Sequence, residues 1–408
     1  ADPTPRHAAP VDWTTMHAHP DSRARLLDAI TPLLPAFAER AAELDRSGEF
    51  FFENFEGLRA IGYMAAPLPA DIGGGGHGLT DIVHAQRSIA RADGSTAYGV
   101  GMHLMTVGQE VARATWPDAL RARVFKAVVR DGATINSVVT EPELGSFQGG
   151  GLPTSAFRPA GEGRWLLTGR KTFSTLAPVL TYFLTAARFD DGSGELGRAI
   201  IPRDRGGIRI DETWDALGMR ATGSHDVYFS DTPVHADDFL LRHAPGRGGQ
   251  AEHDFAWFAL LVSAASLGVA EAARDYAVEF ARTRRPTGLG APIATVPYVR
   301  HEVGRIDADI FTAQALLFAT AEAWDVAAGP DASARRSRLA PRVATAKLRV
   351  TDLAVAIVDR CMRVVGGVSL QRSEPLERYY RDVRGPLANP PITPRGLEMI
   401  ARAALDDP

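Results

Sequence analysis

A lone histidine in an apolar run is the first group in this chain that could move a proton. His103 stands in GVGMHLM (99–105), where an imidazole titrates close to neutral pH unless burial holds it uncharged. It is the candidate acid or base; the plain alternative is a buried histidine satisfied by its surroundings. His225 and Asp226, in GSHDV (223–227), read as groups that stabilise their own strand region. Arg381 and Asp382 read as an internal ion pair. Cys361, the single cysteine, lies in an apolar run and reads as a buried small hydrophobe, so no disulfide framework forms within the chain. The glycine run 73–76 lacks the Lys-Ser/Thr of a phosphate loop and reads as a turn. In RDVRGPLANPPI (381–392) a charged helix end runs into Gly385, Pro386, Asn389, Pro390 and Pro391. Proline offers no backbone N–H and restricts the residue before it, so this is a rigid corner, with Asn389 its one uncharged polar side chain.

The elements that must position these groups change character twice along the 408 residues. Residues 22–65 carry apolar side chains at three- and four-residue spacing, with Pro32 and Pro35 marking a bend, and 80–131 return to helix. From about 134 come short β-branched and aromatic runs separated by Gly, Asp and Pro, the pattern of a compact β domain. From about 250 long Ala-rich helical runs follow, and with a last helix near 392–405 they read as a four-helix bundle. The expected fold is α+β and multi-domain: an N-terminal helical domain (1–133), a middle β-barrel or sandwich (134–242) and a C-terminal four-helix bundle (243–408). The charge of −4 and the pI near 6.3 give no nucleic-acid surface. No apolar stretch looks long and charge-free enough to cross a bilayer, and the expected location is cytoplasmic.

Six motifs in order carry a family resemblance: SVVTEPELGS (137–146), GRKTFST (169–175), LGMRATGSHDV (217–227), RRPTG (284–288), VVGG (364–367) and LERYYRD (376–382). Together they resemble the acyl-CoA dehydrogenase superfamily of flavoproteins over nearly the whole chain. The resemblance implies bound flavin, FAD rather than FMN, with Val139, Thr140 and Ser146 on one side of the ring and Phe173, Ser174 and Thr175 on the other. It implies that Glu141 is structural. It also implies a diphosphate gripped partly across a subunit interface by Arg284, Gly366 and Gly367, in at least a dimer and most simply a homotetramer. A further argument for assembly is that the helix over 255–282 is apolar on more than one face. Arg363 stands where the family usually has Gln.

The family's catalytic base is a glutamate, either after the Y-x-RD segment or on the helix that opens the bundle. Here those places hold Pro390, preceded by Asn389, and a residue near Phe258; the coenzyme A clamp falls near Ala259. The resemblance therefore supports two reactions. One is FAD-linked dehydrogenation of an acyl thioester on coenzyme A or a carrier protein, passing electrons to a redox partner, with His103 the candidate base in place of the missing glutamate and Asn389, which cannot be a base, either capping the corner or meeting the substrate. The other is a reduced-flavin monooxygenase that meets oxygen and a small-molecule substrate, needs no α-proton base, and wants a donor near the flavin, a place for Ser174 or Thr175. The first is the leading expectation. A fold kept for binding without turnover is the third reading.

Overall fold

The structure, a computed structural model, describes residues 20–144, 152–245, 255–329 and 331–406. Its N-terminal helices are α1 (Pro20–Ile30), α2 (Leu34–Ser47), α3 (Phe52–Ala60), α4 (Leu79–Ala92), α5 (Gly94–Arg113) and α6 (Asp118–Asp131). The prolines at 32 and 35 coincide with the break between α1 and α2, where residues 31–33 form a 3-10 turn. Asp93 starts α5 by accepting from the backbone N–H groups of Ser95 and Thr96, which gives two otherwise orphaned donors a partner. Asp325 caps α4 in the same way from a distant helix, accepting from Leu79 N at 3.0 Å and Thr80 N at 2.8 Å.

The middle domain is an eight-stranded sheet: β1 (Ile135–Ser137), β2 (Ala156–Pro159), β3 (Arg164–Ser174), β4 (Tyr182–Phe189), β5 (Leu196–Pro202), β6 (Ile208–Asp211), β7 (His225–His235) and β8 (Phe239–His243). The order is β6-β7-β3-β2-β4-β5-β8, with β1 parallel to β4 off that path. Aromatic side chains at 157, 165, 189 and 239 pack edge-on or tilted inside it.

The C-terminal helices are α7 (Ala256–Thr283), α8 (Pro297–Val326), α9 (Ala332–Ser337), α10 (Ala340–Val365), α11 (Pro375–Asp382) and α12 (Thr393–Leu405). Proline in the first turn of α8, α10, α11 and α12 costs no intrahelical hydrogen bond and presets φ. The second half of α7 and the second half of α10 share one apolar cluster, from Val269 to Ala281 and from Ala354 to Val365, so these two helices run the same way. The ion pair of Arg274 with Asp307 and the bond from Gln314 to Glu271 show α8 running against them.

The helical domains are not independent. α7 packs on α4 and α5 as well as on α8 and α10. Gly268 makes the α4 contact possible: a Cβ there would lie 2.4 Å from the Arg87 carbonyl oxygen and 2.6 Å from the Ala90 Cβ. This corrects one expectation. The several apolar faces of α7 are covered within a single chain and give no argument for assembly. It also corrects the bilayer expectation. By length and composition α7 qualifies as a span, but 89% of its apolar window is buried inside the chain, as in the core helix of a globular domain.

Candidate functional site

The loop that ends β3 is the centre of the site. Phe173 has φ +55°, an uncommon conformation for a non-glycine residue, and its ring stands 60% exposed against Trp214, edge-on at 5.8 Å between centroids. Beside it Ser174 is fully buried, and its Oγ has no hydrogen-bond partner. The Thr175 hydroxyl shares a hydrogen bond with Ser224 at 2.8 Å, and Ser224 shares one with Thr222 at 2.7 Å. Asn136 on β1 donates from Nδ2 to the Thr175 carbonyl at 2.9 Å, which leaves its buried Oδ1 without a partner. The Thr140 carbonyl accepts the Thr172 N–H at 2.9 Å, so the loops carrying Val139–Thr140 and Phe173–Thr175 are tied together. Ser146 lies outside the described residues. Unsatisfied buried polar atoms call for a reason. Ser174 Oγ and Asn136 Oδ1 are sealed from solvent as well as unpartnered, so what the loop offers to a ligand is the exposed Phe173 ring beside Trp214, a flat apolar face of the kind a flavin ring packs on.

His103 does not belong to this site as an acid or base. Its ring is fully buried; Nδ1 accepts the Ile135 N–H at 3.0 Å, so Nε2 carries the proton and donates to the Met64 carbonyl at 2.9 Å. Burial pushes the imidazole down to about 4, against a smaller opposing effect of those two bonds, so it stays neutral at physiological pH. Its work is to pin β1, and with it Asn136, onto α5.

Glu141 is structural, as the resemblance implies: it is fully buried against Lys171 and accepts from the Thr154 and Ser155 backbone. His225 and Asp226 likewise serve the β domain. His225 Nδ1 accepts the Trp214 N–H at 3.1 Å, and Asp226 pairs with Arg170. The expected Arg381–Asp382 pair does not form. Arg381 pairs with Asp45 and Glu377, while Asp382 accepts the Met219 N–H at 2.6 Å. Glu377, one turn earlier on the same helix, and Asp45 on α2 hold the guanidinium, while Asp382 turns to the loop before β7. Cys361 is buried, as expected.

The corner lies against the loop before β7, where a Cβ on Gly385 would stand 3.1 Å from Met219 Cγ. Residues 385–388 form a 3-10 turn, and the Asn389 N–H donates to the Pro386 carbonyl at 3.1 Å. The Asn389 side chain reaches a residue that the sequence reading did not single out. Tyr98 on α5 donates its hydroxyl proton to Asn389 Oδ1 at 2.8 Å, and burial pushes this phenol up to about 12. Pro390, at the place of the family's glutamate, is half-buried, as is Phe258, while Ala259 is fully buried. Three buried carboxyl groups are committed: Asp93 to its helix cap, Asp382 to Met219 and Glu141 to Lys171.

The remaining expected residues collect elsewhere. Val269 and Met219 both flank Gly94, so that level of α7 faces the loop before β7. Arg284 follows α7 fifteen residues later, about 22 Å further along a helix axis. The shared cluster of α7 and α10 brings Arg284, Arg363, Gly366 and Gly367 to that same far end, all exposed. Gly366 has φ +74° and ψ −151°, a conformation open essentially to glycine alone. Within one chain these groups are therefore not brought to the Phe173–Thr175 loop.

Three family descriptions match: "Acyl-CoA dehydrogenase, N-terminal domain" over 34–130, "middle domain" over 136–232 and "C-terminal domain" over 260–385. A Bacillus subtilis (strain 168) protein described as "Putative acyl-CoA dehydrogenase YdbM" is 38% identical over 387 residues, 95% of this chain and 98% of its own. L-evernosamine nitrososynthase of a Micromonospora species is 34% identical over 88% of this chain and 84% of its own. The X-ray structure of KijD3 with FMN and a dTDP-linked 3-amino-4-keto sugar superposes with a TM-score of 0.82 at 31% identity, covering 96% of this chain and 95% of that one. With the fold, the loop geometry and these matches in agreement, the chain belongs to the acyl-CoA dehydrogenase family, as a flavoprotein oxidoreductase of that fold.

Proposed function

We propose that this protein is a flavin-dependent monooxygenase that oxygenates a heteroatom of a small molecule, an uncharged amine nitrogen foremost. The observation that carries this reading is the Tyr98–Asn389 pair at the corner. A dehydrogenase needs a carboxylate within hydrogen-bond reach of a weakly acidic α-proton. The corner offers an amide and a phenol, neither of which is a base at neutral pH. The same neutrality suits an amine that must keep its lone pair. A free carboxylate would hold such a nitrogen as ammonium, whose lone pair is already spent on a proton. The N-oxidising relatives and the FMN-containing KijD3 structure support this choice over the thioester dehydrogenation that led at first. The description of the B. subtilis relative favours that dehydrogenation as the second reading.

Reduced flavin, when bound, supplies the two electrons that split dioxygen, one atom going to the substrate and one to water. The chain's own part is positional. The Val139–Thr140 and Phe173–Thr175 loops would meet the ring's polar edge, Phe173 and Trp214 would cover its apolar part, and Asn389 would present its amide N–H groups to the substrate. FMN suits this site as well as FAD, since both share the ring. The arginines and glycines at the far end of the bundle would serve a flavin held by a neighbouring copy, in a homotetramer. On that arrangement, Arg284→Ala should weaken FAD retention about tenfold to a hundredfold, the usual range for a hydrogen bond to a charged group, with FMN affected less. Equal affinity of wild type and variant for FAD would remove Arg284 from the flavin site.

The deciding test supplies reduced FMN or FAD in air with amines, sulfides and acyl thioesters, and follows product mass. Gain of one oxygen on an amine or sulfide is expected, together with no flavin bleaching by thioesters under anaerobic conditions. Bleaching by a thioester without oxygen would overturn the proposal in favour of dehydrogenation.

A further inference from the structure

Half of the aromatic wall is held by a residue of another domain. Trp214 lies in the connection from β6 to β7, half-buried, with its ring edge-on to Phe173. Two hydrogen bonds fix it. Its backbone N–H donates to His225 Nδ1 at 3.1 Å, which places the chain. Its indole Nε1–H donates to the Met219 carbonyl at 3.0 Å, which turns the ring. The Thr222 hydroxyl donates to the same carbonyl at 3.0 Å, so that oxygen is held from two sides.

Met219 has φ +53°, uncommon for a residue with a side chain, so its conformation needs support. The support comes from α11. The Met219 N–H donates to Asp382 Oδ1 at 2.6 Å, and the Leu217 carbonyl accepts from Arg381 at 3.0 Å. Between them Gly218 lies flush on the end of the helix: a Cβ there would stand 2.5 Å from the Arg381 carbonyl oxygen. Arg381 is anchored in turn by Asp45 on α2 and by Glu377. The Met219 side chain is buried, beside Gly94 at the start of α5 and Gly385 at the corner. The carbonyl that turns Trp214 is therefore seated by the C-terminal domain and not by the sheet alone.

We propose that Asp382 is a positioning residue for the flavin wall: by holding the Met219 N–H it fixes the carbonyl that orients Trp214 against Phe173. The role needs an acceptor oxygen and not a charge, so an amide at the same place can fill it and a methyl group cannot. The proposal rests on the reading that the flavin ring packs on Phe173 and Trp214. It does not depend on which reaction the flavin performs, because binding alone reports it.

The test takes the full chain freed of flavin, titrates it with riboflavin, which carries the ring without a phosphate, and reads the quenching of flavin fluorescence. Asp382→Ala should weaken riboflavin binding about threefold to tenfold, the usual effect of one lost hydrogen bond. Asp382→Asn, which keeps an acceptor oxygen, should stay within about twofold of wild type. Trp214→Phe keeps a ring but loses the indole donor, so it should weaken binding as well, and the double variant should bind no more weakly than the weaker single one. A residue that only stabilises the fold would instead add its effect to that of Trp214→Phe. If Asp382→Ala does not fold, Gly218→Ala takes its place in the same cycle, because its methyl group lifts the loop from α11. Wild-type affinity in Asp382→Ala or its replacement, or losses that add in the double variant, overturns the proposal while leaving the flavin on its wall. Unchanged affinity in Trp214→Ala removes the flavin from that wall, and the proposal with it.

Discussion

Lys171→Met should lower the stability of the protein by about 3–5 kcal/mol, the usual consequence of removing one partner from a buried ion pair. Lys171 and Glu141 are both fully shielded from solvent. The ammonium donates to Glu141 and to the Ala186 carbonyl, the latter at 2.7 Å, so it joins β3 to both β1's following loop and β4. Methionine fills similar volume but leaves the carboxylate facing only the donors of Thr154 and Ser155. The measurement is urea unfolding at pH 7, read through the middle domain's tryptophans. A loss below about 1 kcal/mol would show that the pair is not the fastener of this domain. The pH dependence has a definite sign. Burial pushes the Glu141 carboxyl up, but Lys171 and the hydrogen bonds outweigh it and hold it at about 2. A group whose folded value lies below its unfolded one contributes fully above about pH 4.5. That contribution is lost as the pH falls towards 2, so wild type should weaken steeply there and Lys171→Met should not.

Asp382→Asn should change the pH profile in the opposite sense. Asp382 is buried, and burial pushes its carboxyl up to about 7, opposed by the Met219 N–H and Arg378 and aided by Asp45 and Asp93. The folded state then holds a proton that the unfolded chain releases near pH 4, so stability falls as the pH rises from about 4 to about 7. Three units correspond to about 4 kcal/mol at most. Asparagine can still accept the Met219 N–H through its amide oxygen, and it does not ionise. The variant should therefore match wild type at pH 4 and exceed it above pH 7, by denaturant midpoint. Parallel profiles would mean that Asp382 is ionised throughout, stabilised by Arg378.

Much of the fold was legible because it is written in local periodicity. The helical, β and helical stretches, the break at Pro32–Pro35 and the final helix over 393–405 follow from spacing and breakers alone. The loops around Thr140 and Thr175 were legible because their motifs are short and contiguous. What failed depends on partners far away in sequence. His103 looks like a free imidazole until Met64 and Ile135 are seen on its two nitrogens. Tyr98 drew no attention because its hydrogen-bond partner stands 291 positions later. The faces of α7 looked unpartnered because half of what covers them, α4 and α5, lies on the other side of the β domain.

That last arrangement also sets the order in which the protein can be made. α4 presents its apolar face to Gly268 and the rest of α7, which leave the ribosome only after the whole β domain has been synthesised. The separation is roughly 180 residues, about 10–35 s at ordinary translation rates. Through that interval the first helices hold a surface meant for α7 open to water, while the sheet between them folds. A nascent chain stalled near residue 240 should therefore attract holding chaperones through α4 and α5, and release them once α7 emerges.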